Sequence, residues 1–520
     1  MKQAFAGPLR RHWASLAAAA AVLALGSLVV SGVPFRLETD DVTYLALAAS
    51  HAAGTGLVVP GELPPTGLHF PPGWPLLLSN LFAIGLSLRQ VTWIASALNT
   101  ACFAAATGVW ARIFSRRIGP TWGLLSALWG AMAFPVLLLN TSASSEGTGA
   151  LLVALLALVV MRDGPAASLS PGRHAAALGL AMAGLALLRT QLLFLWPLAL
   201  WHVRDTLPRR YLVAALAAAA ALTAGVTLLA APSPSGPGYL ALTAVAWHGG
   251  LSSPGAYVLR ANLTAHLWNG VAWLVASPLP WSRVLAAALG PPGLSVMTFL
   301  VCLGLVYIAL RERRGGLPVL VAAPVALVLP FVLGYPYAVS PRLLVPAAPL
   351  LGYFAVAGVR RVLRGAPRLA AALVAAWLLF GAAWWVQLAP RHRATQQRFL
   401  AGAERVVDAL TLRGGRAGSV CAEQPEVLWA ASAGAHACRL VTTAEFLVPA
   451  AQRNAAVRSR LDRTGVRCVV GATAAGTQGD VGLPLAEWGF QEVLRTVGFS
   501  AWCRTGTANG GPRPGGSAAG

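Results

Sequence analysis

Long apolar runs alternate with short basic clusters along most of the chain. The first run, residues 13–33, has no charged side chain and is long enough to cross roughly 30 Å of hydrocarbon as a helix. This pattern predicts an all-α polytopic membrane protein with about eleven transmembrane helices. The further predicted spans are residues 90–111, 120–139, 145–161, 174–188, 190–203, 211–231, 291–310, 317–335, 343–359 and 369–389.

Two apolar stretches do not fit as spans. Residues 75–88 are too short to cross, so we expect an interfacial or re-entrant helix that closes a first outer loop of residues 34–89. Residues 232–290 are rich in Pro, Gly, Trp and His and predict a second outer loop with interfacial helices. The alternative for this second loop is a further pair of spans.

Composition excludes a water-soluble globular protein, because 57% of the residues are hydrophobic and 11% are charged. The 39 Lys and Arg residues against 17 Asp and Glu give a net charge of +22, which in a soluble chain would indicate nucleic-acid binding. Here the basic residues cluster between apolar runs, as the positive-inside rule requires, so no nucleic-acid partner is predicted. Arg10 and Arg11 place the N-terminus in the cytoplasm, and an odd number of spans places the C-terminal segment outside it.

The C-terminal segment has a different composition, with nine of the 17 acidic residues after residue 390. Helix-like and strand-like stretches alternate there, which predicts a small extracytoplasmic α/β domain at residues 391–504. Residues 505–520 are predicted to be a disordered tail. In an oxidising compartment the four cysteines of this domain would form two disulfides, for which three pairings are open. They are Cys421, Cys438, Cys468 and Cys503.

Acidic residues are rare before residue 390, and five of the eight fall on the predicted outer side. Asp40 and Asp41 directly precede VTYLALAASHAAG, an amphipathic stretch that we expect to lie along the membrane. Adjacent carboxylates suit general-base chemistry or a divalent cation, because the charge of one poises the other. Helix capping is a structural alternative, and so is an ordinary polar loop. The five outer acids are Glu38, Asp40, Asp41, Glu62 and Glu146.

The first span is followed by TDDVTYLALAASHAAGTG at 39–56 and HFPPGWPLLLSNLF at 69–82, and SPRLLVPAAPLL stands at 340–351. This order resembles the polyprenyl-phosphate-sugar-dependent membrane glycosyltransferases of the GT-C fold. It is similar to the protein O-mannosyltransferase and aminoarabinose lipid A transferase superfamily, whose first outer loop carries an Asp-Asp or Asp-Glu pair and later a Pro-Pro pair. The resemblance covers about residues 10–390. Asp41 replaces the Glu of the mannosyltransferases, and no Lys precedes the Pro-Pro pair as in the aminoarabinose transferases, so neither specific activity is implied.

By this resemblance, Asp40 is the general base that takes the proton of an acceptor hydroxyl as its oxygen attacks the anomeric carbon with inversion. Asp41 would orient the acceptor or a metal ion. The departing lipid phosphate requires positive charge, and Arg189 and Arg342 are the arginines expected to supply it. The alternative for both arginines is that each extends from the end of a span to lipid head groups.

Five more residues are expected to position the acceptor or substrate. Glu146 would pair with one of these arginines or with an acceptor group, or it would only begin a helix, where a carboxylate favours the helix dipole. The scattered histidines lack metal-ligand spacing, so no zinc site is predicted, and no cofactor is assigned beyond an optional divalent cation at the Asp-Asp pair. The five residues are Tyr44, His69, Pro71, Pro72 and Glu146.

The sequence therefore predicts an inverting glycosyltransferase of the bacterial cytoplasmic membrane, with a transmembrane domain at residues 1–390. Its partners would be a polyprenyl-phosphate-linked sugar, membrane lipids and an envelope acceptor, which is a lipid, a glycan or a protein. One alternative is a transporter or lipid-linked glycan flippase, although the sequence has neither internal repeats nor acidic residues at span centres. Another is an envelope glycan polymerase or ligase on the same fold.

Overall fold

The structure, a computed structural model, divides into two compact units. The first unit comprises residues 1–57 and 67–394, and the second comprises residues 58–66 and 395–520. The residues that the structure describes are 2–30, 41–58, 71–161, 168–230, 303–304, 307, 345–346, 348–412, 420–422, 438–439, 450–463, 466–472, 483–496 and 499–504. The predicted loop at 232–290, the span at 317–335, most of the span at 291–310 and the tail at 505–520 lie outside them.

The described part of the first unit is helical, as the apolar pattern predicts. Within the described residues, three helices are long and apolar enough to cross a membrane: Leu88–Ile118, Arg209–Ala230 and Pro367–Thr411. The helices are α1 (Lys2–Ser27), α2 (Asp41–Ala52), α3 (Gly73–Ala83), α4 (Leu88–Ile118), α5 (Pro120–Ala131), α6 (Phe134–Asn140), α7 (Glu146–Val160), α8 (Pro171–Leu188), a 3-10 turn (Thr190–Phe194), α9 (Leu195–Val203), α10 (Arg209–Ala230), α11 (Ala348–Val362) and α12 (Pro367–Leu412).

Helix α4 forms the centre of the first unit and packs against α1, α5 and α7. Trp110 of α4 stacks on Phe114 with ring centroids 5.4 Å apart, and Phe114 stacks on Tyr353 of α11 at 4.5 Å. All three side chains are buried. Aromatic stacking of this kind adds to the burial of apolar area and fixes α11 against the centre of the bundle.

Two helices differ from the predicted spans. The span at 120–139 is broken, because α5 ends at Ala131 and α6 begins at Phe134 with Pro135 in its first turn. Proline lacks the N–H that would continue the α5 hydrogen-bond ladder and disfavours helical backbone at the residue before it. The second difference is that α12 continues past residue 390, where the transmembrane domain was expected to end. It runs to Leu412 with Pro390 inside it, in a sequence rich in the strong helix formers Ala, Leu, Arg and Gln.

The two ends of the first unit carry different charges. The last turns of α4 and α11 carry Arg116, Arg117, Arg360 and Arg361, and Arg360 lies over the ring of Trp122 at the start of α5, 5.6 Å from its centroid. We call this the basic end. The opposite end, where α2 and α7 begin and α8 finishes, carries the buried acids, and we call it the acidic end.

The second unit contains a five-stranded mixed sheet, which agrees with the α/β composition predicted for the C-terminal segment. Strand order is β2-β1-β3-β5-β4, with β1 parallel to β2 and β3, and with β5 antiparallel to β3 and β4. Of the open disulfide pairings, the structure has Cys468–Cys503, which joins β3 to β5. The elements are β1 (Val420–Ala422), β2 (Cys438–Arg439), α13 (Ala450–Arg463), β3 (Cys468–Ala472), β4 (Phe490–Thr496) and β5 (Phe499–Arg504).

Candidate active site

Asp41 lies at the acidic end as the first residue of α2, and its side chain is buried, with 3% of the residue exposed. Its Oδ2 accepts a hydrogen bond from the Ala143 N–H at 3.2 Å. Ala143 belongs to the short segment between α6 and α7, 102 residues further along the chain. The Asp41 carboxylate is therefore held by tertiary structure, and the helix it begins is fixed to that segment.

Glu146 and Arg189 form a buried ion pair at the same end. Glu146 begins α7, and Arg189 follows α8 in extended conformation. The Arg189 Nη1 lies 2.5 Å from the Glu146 Oε1, and only 9% and 2% of the respective side chains are exposed. Each charge offsets part of the cost of removing the other from water, so the loss of either partner would leave a buried charge uncompensated. The pairing that the sequence left open for Glu146 is thus with Arg189.

The segment at residues 141–145 connects these groups. The indole Nε1 of Trp74 donates to the Ala143 carbonyl at 2.7 Å, and the Ser145 hydroxyl donates to the Leu188 carbonyl at 3.3 Å. These bonds fix the segment to α3 on one side and to the end of α8 on the other. Ala143, which binds Asp41, and Glu146, which binds Arg189, are therefore carried by one anchored stretch of backbone.

Asn99 of α4 binds the same segment through its side-chain amide. Its Nδ2 donates to the carbonyls of Ser142, at 2.9 Å, and of Ser144. Its Oδ1 accepts from both the N–H and the hydroxyl of Thr148, each at 2.9 Å. Sequence reasoning missed Asn99 and Trp74. The available signal for Asn99 was an amide within an apolar helix, where a polar group requires partners.

An apolar cluster supports the acidic end. Tyr44 of α2 lies in it and is buried, packed with Trp74 of α3 and Leu188 of α8. Pro72 immediately precedes α3, and at Gly73 a Cβ atom would lie 2.7 Å from the Leu187 carbonyl oxygen. The backbone of α3 thus approaches the end of α8 closely. Two predicted positioning residues, Tyr44 and Pro72, therefore lie in the packing that supports Asp41 and Arg189.

Three of the predicted site residues, Asp40, His69 and Arg342, lie outside the described residues. Asp41, Glu146 and Arg189 are brought together at the acidic end, with Tyr44, Pro71 and Pro72 in the elements beside them. Among the described residues, no group of three or more His, Cys, Asp or Glu side chains is arranged to hold a metal ion.

The arrangement suits proton transfer and anion binding. A fixed carboxylate can accept a proton or orient a hydroxyl, and a guanidinium can bind a phosphate through charge-assisted hydrogen bonds. Arg117 lies about five turns beyond Asn99 on α4, roughly 27 Å along the helix axis. The acidic and basic ends are therefore separated by about the thickness of a hydrocarbon core.

Comparisons by sequence identify no relative: no protein-family model matches the chain, and no curated protein sequence matches it.

Comparisons by structure find GT-C proteins over most of the chain. The crystal structure of ArnT from Cupriavidus metallidurans bound to undecaprenyl phosphate aligns with a TM-score of 0.53 at 14% identity, covering 95% of this chain and 98% of ArnT. An Archaeoglobus fulgidus oligosaccharyltransferase in complex with Zn and sulfate aligns with a TM-score of 0.54 at 11% identity, covering 88% of this chain and 68% of that one. The oligosaccharyltransferase AglB from the same archaeon, in complex with an inhibitory peptide and a dolichol-phosphate, gives 0.53 at 12%, covering 93% and 73%.

At these identities the likeness is one of fold. ArnT, an aminoarabinose lipid A transferase, and AglB both have the GT-C fold, and the sequence resemblance pointed to the same fold from the order of its short motifs. The chain therefore adopts the GT-C fold, as predicted.

Proposed function

We propose that this chain is an inverting glycosyltransferase that moves a sugar from a polyprenyl-phosphate donor to an envelope acceptor at the outer face of a bacterial cytoplasmic membrane. The observation that carries the proposal is the buried set of charges at the acidic end, where Asp41 and the Glu146–Arg189 pair are fixed to one backbone segment. The full-length likeness to ArnT bound to undecaprenyl phosphate supports the donor class.

The proposed reaction exchanges one C–O bond for another. The acceptor hydroxyl oxygen attacks the anomeric carbon from the face opposite the phosphate, and the bond from that carbon to the phosphate oxygen breaks. The hydroxyl proton passes to Asp40, the proposed general base, and polyprenyl phosphate departs. Asp41, held by the Ala143 N–H, orients the acceptor beside it.

Arg189 is the proposed ligand of the departing phosphate, together with Arg342. In the structure its guanidinium is bound to Glu146, so a donor phosphate must compete with that carboxylate or share the guanidinium with it. A guanidinium has five N–H donors, so Arg189 can bind a phosphate through donors that Glu146 leaves open. On this proposal Glu146 holds the guanidinium of Arg189 in place before the donor arrives.

The proposed orientation puts the N-terminus in the cytoplasm, about eleven spans in the membrane and the C-terminal domain outside. The separation of the acidic and basic ends supports this sidedness, because basic residues are enriched on the cytoplasmic side of membrane proteins. One archaeal structure contains Zn, but the described residues of this chain do not supply a zinc ligand set. The proposed reaction uses no metal ion. A divalent cation bound by Asp40 and Asp41 is the alternative.

The experiment is transfer from a panel of radiolabelled polyprenyl-phosphate sugars by the purified protein in lipid vesicles. We expect one donor to yield a glycosylated envelope acceptor and one polyprenyl phosphate per sugar, with Asp40→Asn and Asp41→Asn at least about a hundredfold slower. Equal rates for the wild type and both variants would contradict the assignment. Movement of the lipid across the vesicle without bond cleavage would favour a flippase instead.

A further inference from the structure

Asn99 uses its side chain differently from other buried polar residues of α4. Neighbouring polar residues of α4, such as Thr100 and Thr107, return their hydroxyls to carbonyls four residues earlier in the same helix. Asn99 is also completely buried, but both its donors and its acceptor are directed to another part of the chain. Its side chain therefore serves the segment it binds rather than its own helix.

The hydrogen bonds of Asn99 lie on both sides of Ala143 and Glu146, which bind Asp41 and Arg189. On one side it holds the carbonyls of Ser142 and Ser144, which enclose the Ala143 N–H that binds Asp41. On the other side it holds Thr148, and Glu146 lies between the two anchor points. A loss of these bonds would therefore loosen the segment that carries both Ala143 and Glu146.

Gly147 also brings the backbone of α7 into contact with the backbone of α4 at Asn99. A Cβ atom at this position would lie 2.3 Å from the Asn99 carbonyl oxygen, a distance that a side chain cannot occupy. The start of α7 therefore approaches α4 at Asn99 as closely as two backbones allow. Side-chain and backbone contacts at one residue together define where the segment lies.

We infer that Asn99 is the positioning residue of the transfer site: it sets the place of Asp41 through Ala143 and of the Arg189 guanidinium through Glu146. The expected fall in transfer rate rests on the proposed function, whereas the expected loosening of residues 141–148 does not depend on any activity. An amide is required, because the position needs two N–H donors and one acceptor. Aspartate supplies acceptors only and would face two carbonyl oxygens, and leucine supplies neither.

The test compares Asn99→Leu and Asn99→Asp with the control Thr107→Val. The control also removes a buried polar group of α4, but in the described structure the Thr107 hydroxyl bonds to a carbonyl of its own helix. We expect kcat for sugar transfer to fall about tenfold to a hundredfold in both Asn99 variants, with KM for the donor within about threefold of wild type. Amide hydrogen exchange in donor-free protein should accelerate at residues 141–148 in both variants. Thr107→Val should change neither quantity.

Thr148→Ala provides a milder variant, because it removes one of the four bonds and leaves the Thr148 N–H in place. A smaller acceleration at residues 141–148 is expected, so the inference stays testable if Asn99→Leu does not fold. An active wild type with unchanged kcat in both Asn99 variants would overturn the inference, and so would unchanged exchange at residues 141–148. If the wild type transfers no sugar from any donor, the proposed function fails, while the exchange result still decides whether Asn99 anchors the segment.

Discussion

Buried charge marks the site at the scale of single residues. Among the residues that the structure describes, the buried acids and arginines are Asp41, Glu146 and Arg189, and all three lie at the acidic end. Removing a charge from water costs several kcal/mol even when it is paired. Such groups within a membrane domain are therefore functional candidates by default, and their shared location strengthens the proposal that this end carries the chemistry.

The Glu146–Arg189 pair leads to a stability prediction. Glu146→Gln leaves Arg189 buried without its carboxylate, so the free energy of unfolding should fall by about 3–5 kcal/mol. Undecaprenyl phosphate should stabilise Glu146→Gln more than the wild type, because its phosphate no longer competes with Glu146. Pulse proteolysis in detergent with and without the lipid measures both effects. Unchanged stability in the variant, or equal stabilisation of both proteins by the lipid, would contradict the prediction.

Sequence reasoning reached some of these residues and not others. Asp41, Glu146 and Arg189 stood out because charges are rare in an apolar chain, and Glu146 was already a candidate partner for an arginine. Asn99 and Trp74 carry no charge and were not singled out, although an amide inside the predicted span at 90–111 was a signal for Asn99. Their roles depend on the path of residues 141–148, which is set by tertiary contacts that have no local pattern.

At the scale of elements, small residues decide where helices cross. At Gly130 of α5 a Cβ atom would lie 2.3 Å from the Ala348 carbonyl oxygen, and at Gly352 of α11 it would lie 2.5 Å from the Gly130 nitrogen. These paired glycines allow α5 and α11 to pack with their backbones in contact, as is common in membrane helices. Hydropathy predicts the existence of both helices, but not this crossing or the break of the predicted span at Met132 and Ala133.

Gly130→Ala should therefore destabilise the first unit. The added methyl group has no room against Ala348, so the unfolding free energy should fall by about 1–3 kcal/mol. Gly225→Ala is the matched control, since Gly225 lies within α10 and a Cβ atom there would have no neighbour within 4 Å. That control should be neutral or more stable by up to about 1 kcal/mol. Thermal unfolding in detergent tests the pair, and equal melting temperatures for the two variants would refute the prediction.

The whole molecule combines two charged ends and a separate sheet unit. Alternation of apolar runs and basic clusters was enough to predict a helical membrane architecture, and the order of short motifs was enough to predict the GT-C fold. The strand order of the second unit was not predictable, because it depends on pairing between strands far apart in sequence. The continuous α12 was not predicted either, since Pro390 and the charges after it indicate an end in local sequence.

Sidedness is the prediction that belongs to the whole molecule. An odd number of spans with a cytoplasmic N-terminus places residue 520 outside the cytoplasm. In a bacterial host, alkaline phosphatase fused after residue 520 should be active, whereas green fluorescent protein fused there should be dark. Fusions after Arg204, in a predicted cytoplasmic loop, should show the reverse pattern. A fluorescent C-terminal fusion would mean that the number of crossings is even and that the proposed sidedness of the domain is wrong.

The most direct test of the account measures donor binding and sugar transfer side by side in Asp41→Asn. This substitution keeps the size of the side chain and removes its negative charge. We predict that Asp41→Asn binds undecaprenyl-phosphate sugar within about threefold of wild-type affinity, while its single-turnover transfer rate falls about a hundredfold. Wild-type transfer by Asp41→Asn would contradict the central claim that the buried carboxylate at the acidic end takes part in moving the sugar.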